Sequence, residues 1–296
     1  MTEYEDFVTA NIKTFKRPEK FERTLYYAIK AGCKRIIVGY DGPDDLLEPH
    51  KEICDRFSHL ADIQFKSYPF NVGLSYVRNR MIELTKTKYI LQLDDDQYIP
   101  TNTLESIALM EINEEIGGVA FGWILPDKFD IDAHDISIVN GWYLRDWRGP
   151  KSKEFIDGHY YWYPFDFVPN SIIFRKEIFD DVKWDEHYII NREHEDFYLE
   201  MKKLGKWKFA IDLSVWFYHD LGGDKDFQDW RRGRECKRSI RYFRKKWNLK
   251  GIVGVPRYYS KLIDLYGYNI GKAEWLQRWR KAVDLDNVSD DFVFSF

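Results

Sequence analysis

Three consecutive carboxylates, Asp94, Asp95 and Asp96, follow directly after the apolar run Lys88–Leu93. Adjacent carboxylates repel one another, and the repulsion destabilises a fold unless a cation or hydrogen-bond donors neutralise it. Mg²⁺ and Mn²⁺ suit such a group, because they bind one or two carboxylates together with the oxygens of a diphosphate. The run therefore predicts a metal–nucleotide site, and a solvated acidic turn is the simpler alternative.

A second acidic turn lies earlier in the chain. Asp41 follows the apolar run Lys34–Tyr40 and opens the turn signal Asp41-Gly42-Pro43. An ordinary turn carboxylate is the alternative, because aspartate is common in turns. Since each of the two acidic turns follows an apolar run, the pattern favours a shared ligand site.

The triplet His194-Glu195-Asp196 stands at the start of a predicted helix, Glu195–Leu204. A carboxylate held at a helix start inside a cleft suits a general base that removes a proton from a hydroxyl. The alternative is capping, because the helix dipole favours acidic residues in the first turn.

The segment Gly141–Phe167 is rich in aromatic residues: Trp142, Tyr143, Trp147, Tyr160, Tyr161, Trp162 and Tyr163. Flat rings with polar edges are natural platforms for the apolar faces of sugars. We expect more than half of these rings to pack in the core. Trp142 and Trp162, together with Glu195, are the candidates for acceptor contacts.

A basic segment follows at Asp229–Lys246, which carries nine basic residues against two acidic ones. Apolar residues recur in it at helical spacing: Trp230, Ile240, Phe243 and Trp247. The pattern predicts a basic amphipathic helix that meets an anionic membrane or a phosphorylated acceptor. A solvated face docked on the rest of the protein is the alternative.

The elements that must position these residues alternate over about the first hundred positions. Strands are predicted at Phe7–Lys13, Lys34–Tyr40, Asp62–Ser67 and Lys88–Leu93, and helices after Pro18 and at Gly73–Lys86. This order predicts an α/β fold, with a mixed, mainly parallel sheet covered by helices on both faces. Ligands of such sheets bind beyond the carboxyl ends of the strands, where both acidic turns lie.

The second half is more mixed. Strands are predicted at Gly117–Leu125, Phe167–Phe174, Lys208–Ile211 and Val215–Tyr218, and the chain turns helical and basic from about Asp226. We therefore predict an α/β catalytic domain over residues 1–222, with a helical basic extension over residues 223–296 packed on it.

Composition excludes several classes. The 296 residues carry a net charge of −4, which argues against a general nucleic-acid surface. The three cysteines include no CxxC pair, so they suggest a reducing compartment and no zinc framework. The start of the chain has no signal-like apolar region, and no apolar stretch approaches the roughly 20 residues of a membrane helix. A cytoplasmic protein, with the basic segment as a peripheral membrane contact, is the expectation.

Four motifs occur in the order typical of a known family: KTFKRP (Lys13–Pro18), VGYDG (Val38–Gly42), NVGLSYVRNR (Asn71–Arg80) and LDDDQYIP (Leu93–Pro100). The chain resembles the inverting glycosyltransferases of family 2, which have the GT-A fold, a Rossmann-like nucleotide-diphospho-sugar transferase fold. Its second half is similar to the β-1,4-N-acetylgalactosaminyltransferases of the ganglioside GM2 synthase type. The segments that carry this second resemblance are NSIIFRKEIFDDVKWDE (Asn170–Glu186), HEDFYLEMKKLG (His194–Gly205) and His219.

The resemblance implies a nucleotide pocket built from the first half of the chain. Thr14, Phe15 and Arg17 would line it, Asp41 would accept a hydrogen bond from uracil, and Arg78 would lie near the base or diphosphate. Asp94 would contact the ribose, and Asp95 belongs to the same nucleotide-binding set. The chain departs from the family pattern at Lys13 and Lys16.

The resemblance also implies the metal and the base. Asp96 would coordinate Mn²⁺ or Mg²⁺, with His219 beside the metal and the diphosphate; a structural histidine is the alternative for His219. Asp196 matches the acid that removes the acceptor proton in both groups.

The function that follows is metal-dependent, inverting transfer of a sugar from a UDP donor to a glycan, glycolipid or lipid-linked acceptor. N-acetylgalactosamine or another hexose is the donor sugar that the resemblance suggests. Alternatives are another hexosyl- or pentosyltransferase of the same fold and a non-catalytic sugar-binding module. A sugar-1-phosphate nucleotidylyltransferase is disfavoured, because KTFKRP lacks the glycine-rich loop that this class needs.

Overall fold

The computed structural model describes residues 4–125, 128–146 and 150–253. The strands are β1 (Val8–Thr14), β2 (Arg35–Tyr40), β3 (Asp62–Ser67), β4 (Tyr89–Asp94), β5 (Gln97–Tyr98), β6 (Ile116–Leu125), β7 (Lys128–Asp130), β8 (Asp135–Val139), β9 (Trp142–Asp146), β10 (Ser152–Ile156), β11 (His159–Phe165), β12 (Ile172–Arg175), β13 (Lys208–His219) and β14 (Gly251–Val253). The helices are α1 (Pro18–Lys30), α2 (Leu47–Phe57), α3 (Leu74–Leu84), α4 (Ala108–Ile112), α5 (Ile178–Asp181), α6 (Glu193–Leu204), α7 (Lys225–Arg231) and α8 (Arg234–Lys246).

A large mixed sheet organises the chain, with the strand order β10-β11-β13-β6-β12-β4-β1-β2-β3. Parallel pairing joins β4 to β1, β1 to β2 and β2 to β3, and it also joins β13 to β6. The strand β12 is antiparallel to both β4 and β6, and so joins the two parallel parts. The predicted α/β fold with a mixed sheet is confirmed.

Local sequence explains the helices that flank the parallel strands. Pro18 begins α1, where its missing N–H leaves no helical hydrogen bond unmade, and Phe21, Leu25 and Ala28 form the buried face. Gly73 precedes α3 with a φ of 110°, and a Cβ atom there would lie 2.6 Å from the Cα atom of Ile189. Glycine is therefore required at this position, both for its backbone angle and for the close approach.

The structure contains elements that the sequence patterns did not predict. Helix α2 lies between β2 and β3, and β13 is one continuous strand where two were predicted. A small second sheet has the order β14-β9-β8, so the C-terminal extension contributes a strand as well as helices. The predicted helical structure of residues 254–296 lies outside the described residues, and the domain boundary at residue 222 stays a prediction. None of the helices in the described part of the chain has the length and apolar run needed to cross a bilayer.

The core on the α6 side of the sheet is built largely from aromatic rings. Phe174, on β12, is 1% exposed. Its ring centroid lies 5.2 Å from that of Phe179 and 5.9 Å from that of Phe197. Such pairs add to the hydrophobic effect of burial, so this cluster fixes α6 against the sheet.

The change Phe174→Ala should lower the free energy of unfolding by about 3–5 kcal/mol, because it removes a large buried side chain and leaves a cavity. Urea unfolding followed by circular dichroism measures the change. Phe155→Ala is the matched control, since Phe155 is 61% exposed and its loss should cost under about 1 kcal/mol. Equal effects of the two changes would contradict the assignment of this core.

Candidate active site at the carboxyl edge of the sheet

The ends of β1, β2 and β4 meet at one edge of the sheet. The strands are parallel, with Lys13 opposite Asp94 and Thr14 opposite Tyr40. A pocket of about 750 Å³ opens there, within the size range of small-molecule sites. Its lining includes all three carboxylates of the acidic turn, as the sequence predicted.

Asp94 is held in place by hydrogen bonds to three side chains. Arg78 on α3 donates from Nη2 to its Oδ1 atom at 2.8 Å, and Asn170 donates to Oδ2 at 2.8 Å. The backbone N–H of Asp94 donates to Gln97. Burial would raise the pKa of the Asp94 carboxyl, but the charge of Arg78 outweighs it and holds the pKa below its usual range.

Asp95 faces the loop that follows β1. Its Oδ2 atom accepts from Thr14 Oγ1 at 3.0 Å and from the backbone N–H of Phe15 at 3.3 Å, while Arg17 contacts Oδ1. His50 lies on the other side of Thr14, with 3.0 Å between Nε2 and Oγ1. These contacts fix the loop that carries Phe15 and Arg17, so Asp95 shapes the pocket through its neighbours.

Asp96 lies between two cationic or ligating side chains. Arg17 Nη1 donates to its Oδ2 atom at 2.7 Å, and His219 Nε2 lies 3.5 Å from its Oδ1 atom. His219 reaches this point because β13 pairs with β5 beside the acidic turn. Burial would raise the pKa of Asp96, but His219 and Arg17 outweigh it, so the pKa lies well below its usual range.

These residues offer a divalent ion a partial ligand set. Among the described residues, no three or more histidine, cysteine, aspartate or glutamate side chains converge on one metal position. Asp96 and His219 do converge, and the buried Nδ1 atom of His219 has no hydrogen-bond partner in this part of the structure. Because Mg²⁺ and Mn²⁺ take one or two protein ligands together with substrate phosphates, the pair fits an ion that arrives with a diphosphate.

Lys13, Phe15 and Asp41 form the opposite end of the pocket. Lys13 and Phe15 line it, and Asp41 is buried behind them. The Oδ2 atom of Asp41 accepts from the backbone N–H of Gly73 at 2.9 Å. The Lys13 ammonium lies 2.7 Å from Oδ1 and forms a buried ion pair with it. The Phe15 ring stacks on Trp230 of α7, with centroids 4.3 Å apart.

The start of α6 forms the wall that faces the acidic turn. Glu193, His194 and Glu195 line the pocket, whereas Asp196 does not. Asp196 is 2% exposed and turns towards α8, where it accepts from Lys246 at 2.8 Å and from Trp247 at 2.7 Å.

The prediction that Asp196 faces the cleft is therefore corrected. Helix α6 begins at Glu193, two residues earlier than predicted, after Arg192 in a left-handed conformation. Consecutive helical residues point about 100° apart, so Glu195 and Asp196 face different surroundings. Burial raises the pKa of Asp196, and Lys246 and Trp247 offset only part of that effect.

Glu195 has the properties that were predicted for Asp196. Its Oε1 atom accepts from Arg145 at 2.7 Å and contacts Arg192, while Oε2 has no partner from another described residue. Burial would raise the pKa of Glu195, but Arg192, Arg145 and His194 outweigh it and lower the pKa, so the carboxylate is ionised at neutral pH. No local sequence pattern points to Arg145, because it lies 50 residues away on β9.

The aromatic segment behaves mostly as a core. Trp162 is 4% exposed and lies in the interior, so it has no free face for a sugar. Trp142 is 43% exposed on β9 but does not line the pocket. Trp147 lies outside the described residues. Trp142 and Trp162 therefore do not lie at the site. Trp123 lines the pocket beside His219, and the centroids of their rings are 5.1 Å apart.

Comparisons with known proteins give a family match and a shared fold. Residues 10–183, more than half of the chain, match the model of the family described as glycosyl transferase family 2. No curated protein matches the chain.

Solved structures show the same fold at low identity. S. aureus TarS 1–349 in complex with UDP-GlcNAc is 15% identical with a TM-score of 0.50, over 73% of this chain and 59% of that chain. The mannosyltransferase PcManGT from Pyrobaculum calidifontis, in complex with GDP-Man and Mn²⁺, is 11% identical with a TM-score of 0.55, over 82% and 65%. GalNAc-T7 with UDP, GalNAc and Mn²⁺ is 13% identical with a TM-score of 0.57, over 91% and 58%. The chain spans less than two thirds of the length of each of these three proteins.

Proposed function

This chain belongs to glycosyl transferase family 2, and from that membership we propose that it transfers a sugar from a UDP-sugar to an acceptor hydroxyl, with inversion and with Mn²⁺ or Mg²⁺ bound. One observation carries the proposal. A single pocket holds Lys13 and Phe15 at one end, Asp96 with His219 in the middle, and Glu195 on the facing wall.

The first end of the pocket supports recognition of a base with an imide edge. The Lys13 ammonium lines the pocket and can donate to the O4 atom of uracil, and Asp41 Oδ1, which pairs with this ammonium, is the acceptor that we propose for the N3–H. Cytosine presents the reverse pattern, an amino donor beside an unprotonated ring nitrogen. Guanine also presents a carbonyl acceptor, O6, beside a ring N–H donor, N1–H, so GDP is the competitor that a test must include.

The middle of the pocket supports departure of the diphosphate. A divalent ion held by Asp96 and His219 would neutralise charge on the leaving diphosphate. Arg17 lies 2.7 Å from Asp96 and carries a second positive charge to the same place. Asp96 is assigned to the ion and Asp95 is bound by the loop after β1. Asp94, which Arg78 and Asn170 hold in place, is therefore the carboxylate that can accept hydrogen bonds from the sugar and ribose hydroxyls.

The α6 wall supports activation of the acceptor. Glu195 Oε2 takes the proton of the acceptor hydroxyl while that oxygen forms a bond to the anomeric carbon, and the bond from this carbon to the diphosphate breaks. Arg145 and Arg192 keep the Glu195 carboxylate ionised and oriented through Oε1. Inversion follows, because the attack and the departure occur on opposite faces of the sugar.

The finer assignments remain proposals. N-acetylgalactosamine as the donor sugar rests on the resemblance to GM2 synthase-type enzymes. The alternative, a non-catalytic sugar-binding module, is disfavoured because both Asp96 and Glu195 line the pocket.

The C-terminal helices support a proposal about the acceptor. Helix α8 docks through Phe243, which is fully buried against Tyr143. Its exposed face is basic: Arg234, Lys237, Arg238, Arg241, Arg244 and Lys245. Such a face supports contact with an anionic partner, either a phosphorylated acceptor or a membrane surface with anionic headgroups.

Base recognition is tested by Asp41→Asn and Lys13→Met. Each should weaken UDP binding by about 1–2 kcal/mol, the contribution of one charge-assisted hydrogen bond, and should affect CDP less. Calorimetric titration with UDP, GDP and CDP measures these affinities. Lys16→Met is the matched control, because Lys16 also lies over the Phe15 ring but does not contact Asp41. Unchanged UDP affinity in both test variants would remove this pair from the base site.

The base is tested by Glu195→Gln, which keeps the size of the side chain and removes its ability to take a proton. Transfer should slow by roughly a hundredfold or more, while UDP binding and the melting temperature change little. Steady-state transfer with a panel of UDP-sugars, alongside UDP titration, separates these effects.

Asp196→Asn and Glu193→Gln are the comparison variants for that test. Asp196→Asn breaks the contact with Lys246, so we expect a lower melting temperature with a smaller loss of transfer. If either comparison variant loses more transfer than Glu195→Gln while its fold remains intact, Glu195 is not the base.

A further inference from the structure

Arg17 is the most heavily engaged cation of the pocket. Its Nη1 atom donates to Asp96 Oδ2 at 2.7 Å and to the backbone oxygen of Gly222 at 2.9 Å. Its Nη2 atom contacts Asp95, and its guanidinium carbon lies 4.5 Å from the ring centroid of Phe227. The side chain is only 11% exposed. One arginine therefore neutralises two of the three carboxylates and also touches the segment that leads into α7.

This arrangement affects how a metal ion binds. Asp96 gives Oδ2 to Arg17, which leaves Oδ1 and the nearby His219 imidazole for a divalent ion. An ion at that position would lie within a few ångströms of the Arg17 guanidinium. Like charges at about 4 Å repel strongly at a partly buried site, so a bare ion would bind weakly.

A diphosphate removes this conflict, because its oxygens can coordinate the ion and accept hydrogen bonds from the guanidinium at once. We propose that Arg17 is the resident cation of the acidic turn, which disfavours a bare divalent ion and makes metal binding conditional on the donor diphosphate. This role rests on the proposed function and extends it. Two ligands that relieve the same repulsion bind cooperatively, and each increases the affinity of the other.

The contacts with Gly222 and Phe227 extend the coupling to α7. Trp230 on this helix stacks on Phe15 at the base end of the pocket, so Arg17 and Trp230 hold α7 at both ends of the donor site. When Arg17 turns to the diphosphate, its hold on Gly222 changes as well. The C-terminal segment is thus connected to the state of the metal site.

Titration of Mn²⁺ into the protein, with free Mn²⁺ followed by electron paramagnetic resonance, tests the proposal. Wild-type protein should bind Mn²⁺ alone weakly, and UDP should raise the affinity at least tenfold, within the range of about 5–150-fold common for coupled ligands. Arg17→Met should bind Mn²⁺ alone at least about tenfold more tightly than wild type, and UDP should enhance its Mn²⁺ affinity less than that of wild type, because only the ligation by the diphosphate remains.

Two further variants complete the design. Arg17→Gln is a second neutral variant that can still donate to Asp96. It should show the same tighter binding of bare Mn²⁺, and it provides the test if Arg17→Met does not fold. Arg23→Met removes an exposed positive charge from the same helix, α1, and should leave Mn²⁺ binding unchanged.

The outcomes separate this proposal from the proposed function. Mn²⁺ binding by the neutral variants that is no tighter than by wild type would overturn the role of Arg17. Tight binding of bare Mn²⁺ by wild type would overturn it as well. If wild-type protein bound neither UDP nor Mn²⁺ under any condition, the proposed function itself would fail.

Discussion

Three neighbouring carboxylates at the end of one strand require neutralisation, and the rest of the site is built around that requirement. Their partners come from distant parts of the chain: Arg78 on α3 binds Asp94, Thr14 at the end of β1 binds Asp95, Arg17 in the following loop binds both Asp95 and Asp96, and His219 on β13 lies beside Asp96. The charges that would destabilise an isolated turn therefore hold distant segments around a single pocket.

The parallel strands make this convergence possible. Because β1, β2 and β4 end at the same edge, the residues that follow them share one space although they are far apart in sequence. The mixed half of the sheet supplies the other side of the pocket. His219 lies at the end of β13, and α6, which precedes β13 in the chain, carries Glu195. The C-terminal helices then close the far side, with Trp230 over Phe15 and Lys246 against Asp196.

The sequence predicts that the acidic turn and Asp41 lie at the ends of their strands, because both positions depend on local pattern, and the structure has them there. The roles of these residues in nucleotide binding stay predictions. The resemblance points to Asp196 as the base, whereas in the structure Glu195 lines the pocket and Asp196 turns towards α8, because consecutive helical residues point about 100° apart. Arg145 could not be found at all, because its contact with Glu195 depends on how a separate small sheet packs, and no local pattern encodes that packing.

In the proposed function the acidic turn binds a nucleotide diphosphate together with a divalent ion, and calorimetric titration of UDP into the protein, first with Mn²⁺ and then with EDTA, measures this dependence. We expect removal of the ion to weaken UDP binding by at least about tenfold, or roughly 1.4 kcal/mol, and Asp96→Asn to abolish the difference. Equal affinity for UDP in Mn²⁺ and in EDTA would contradict it.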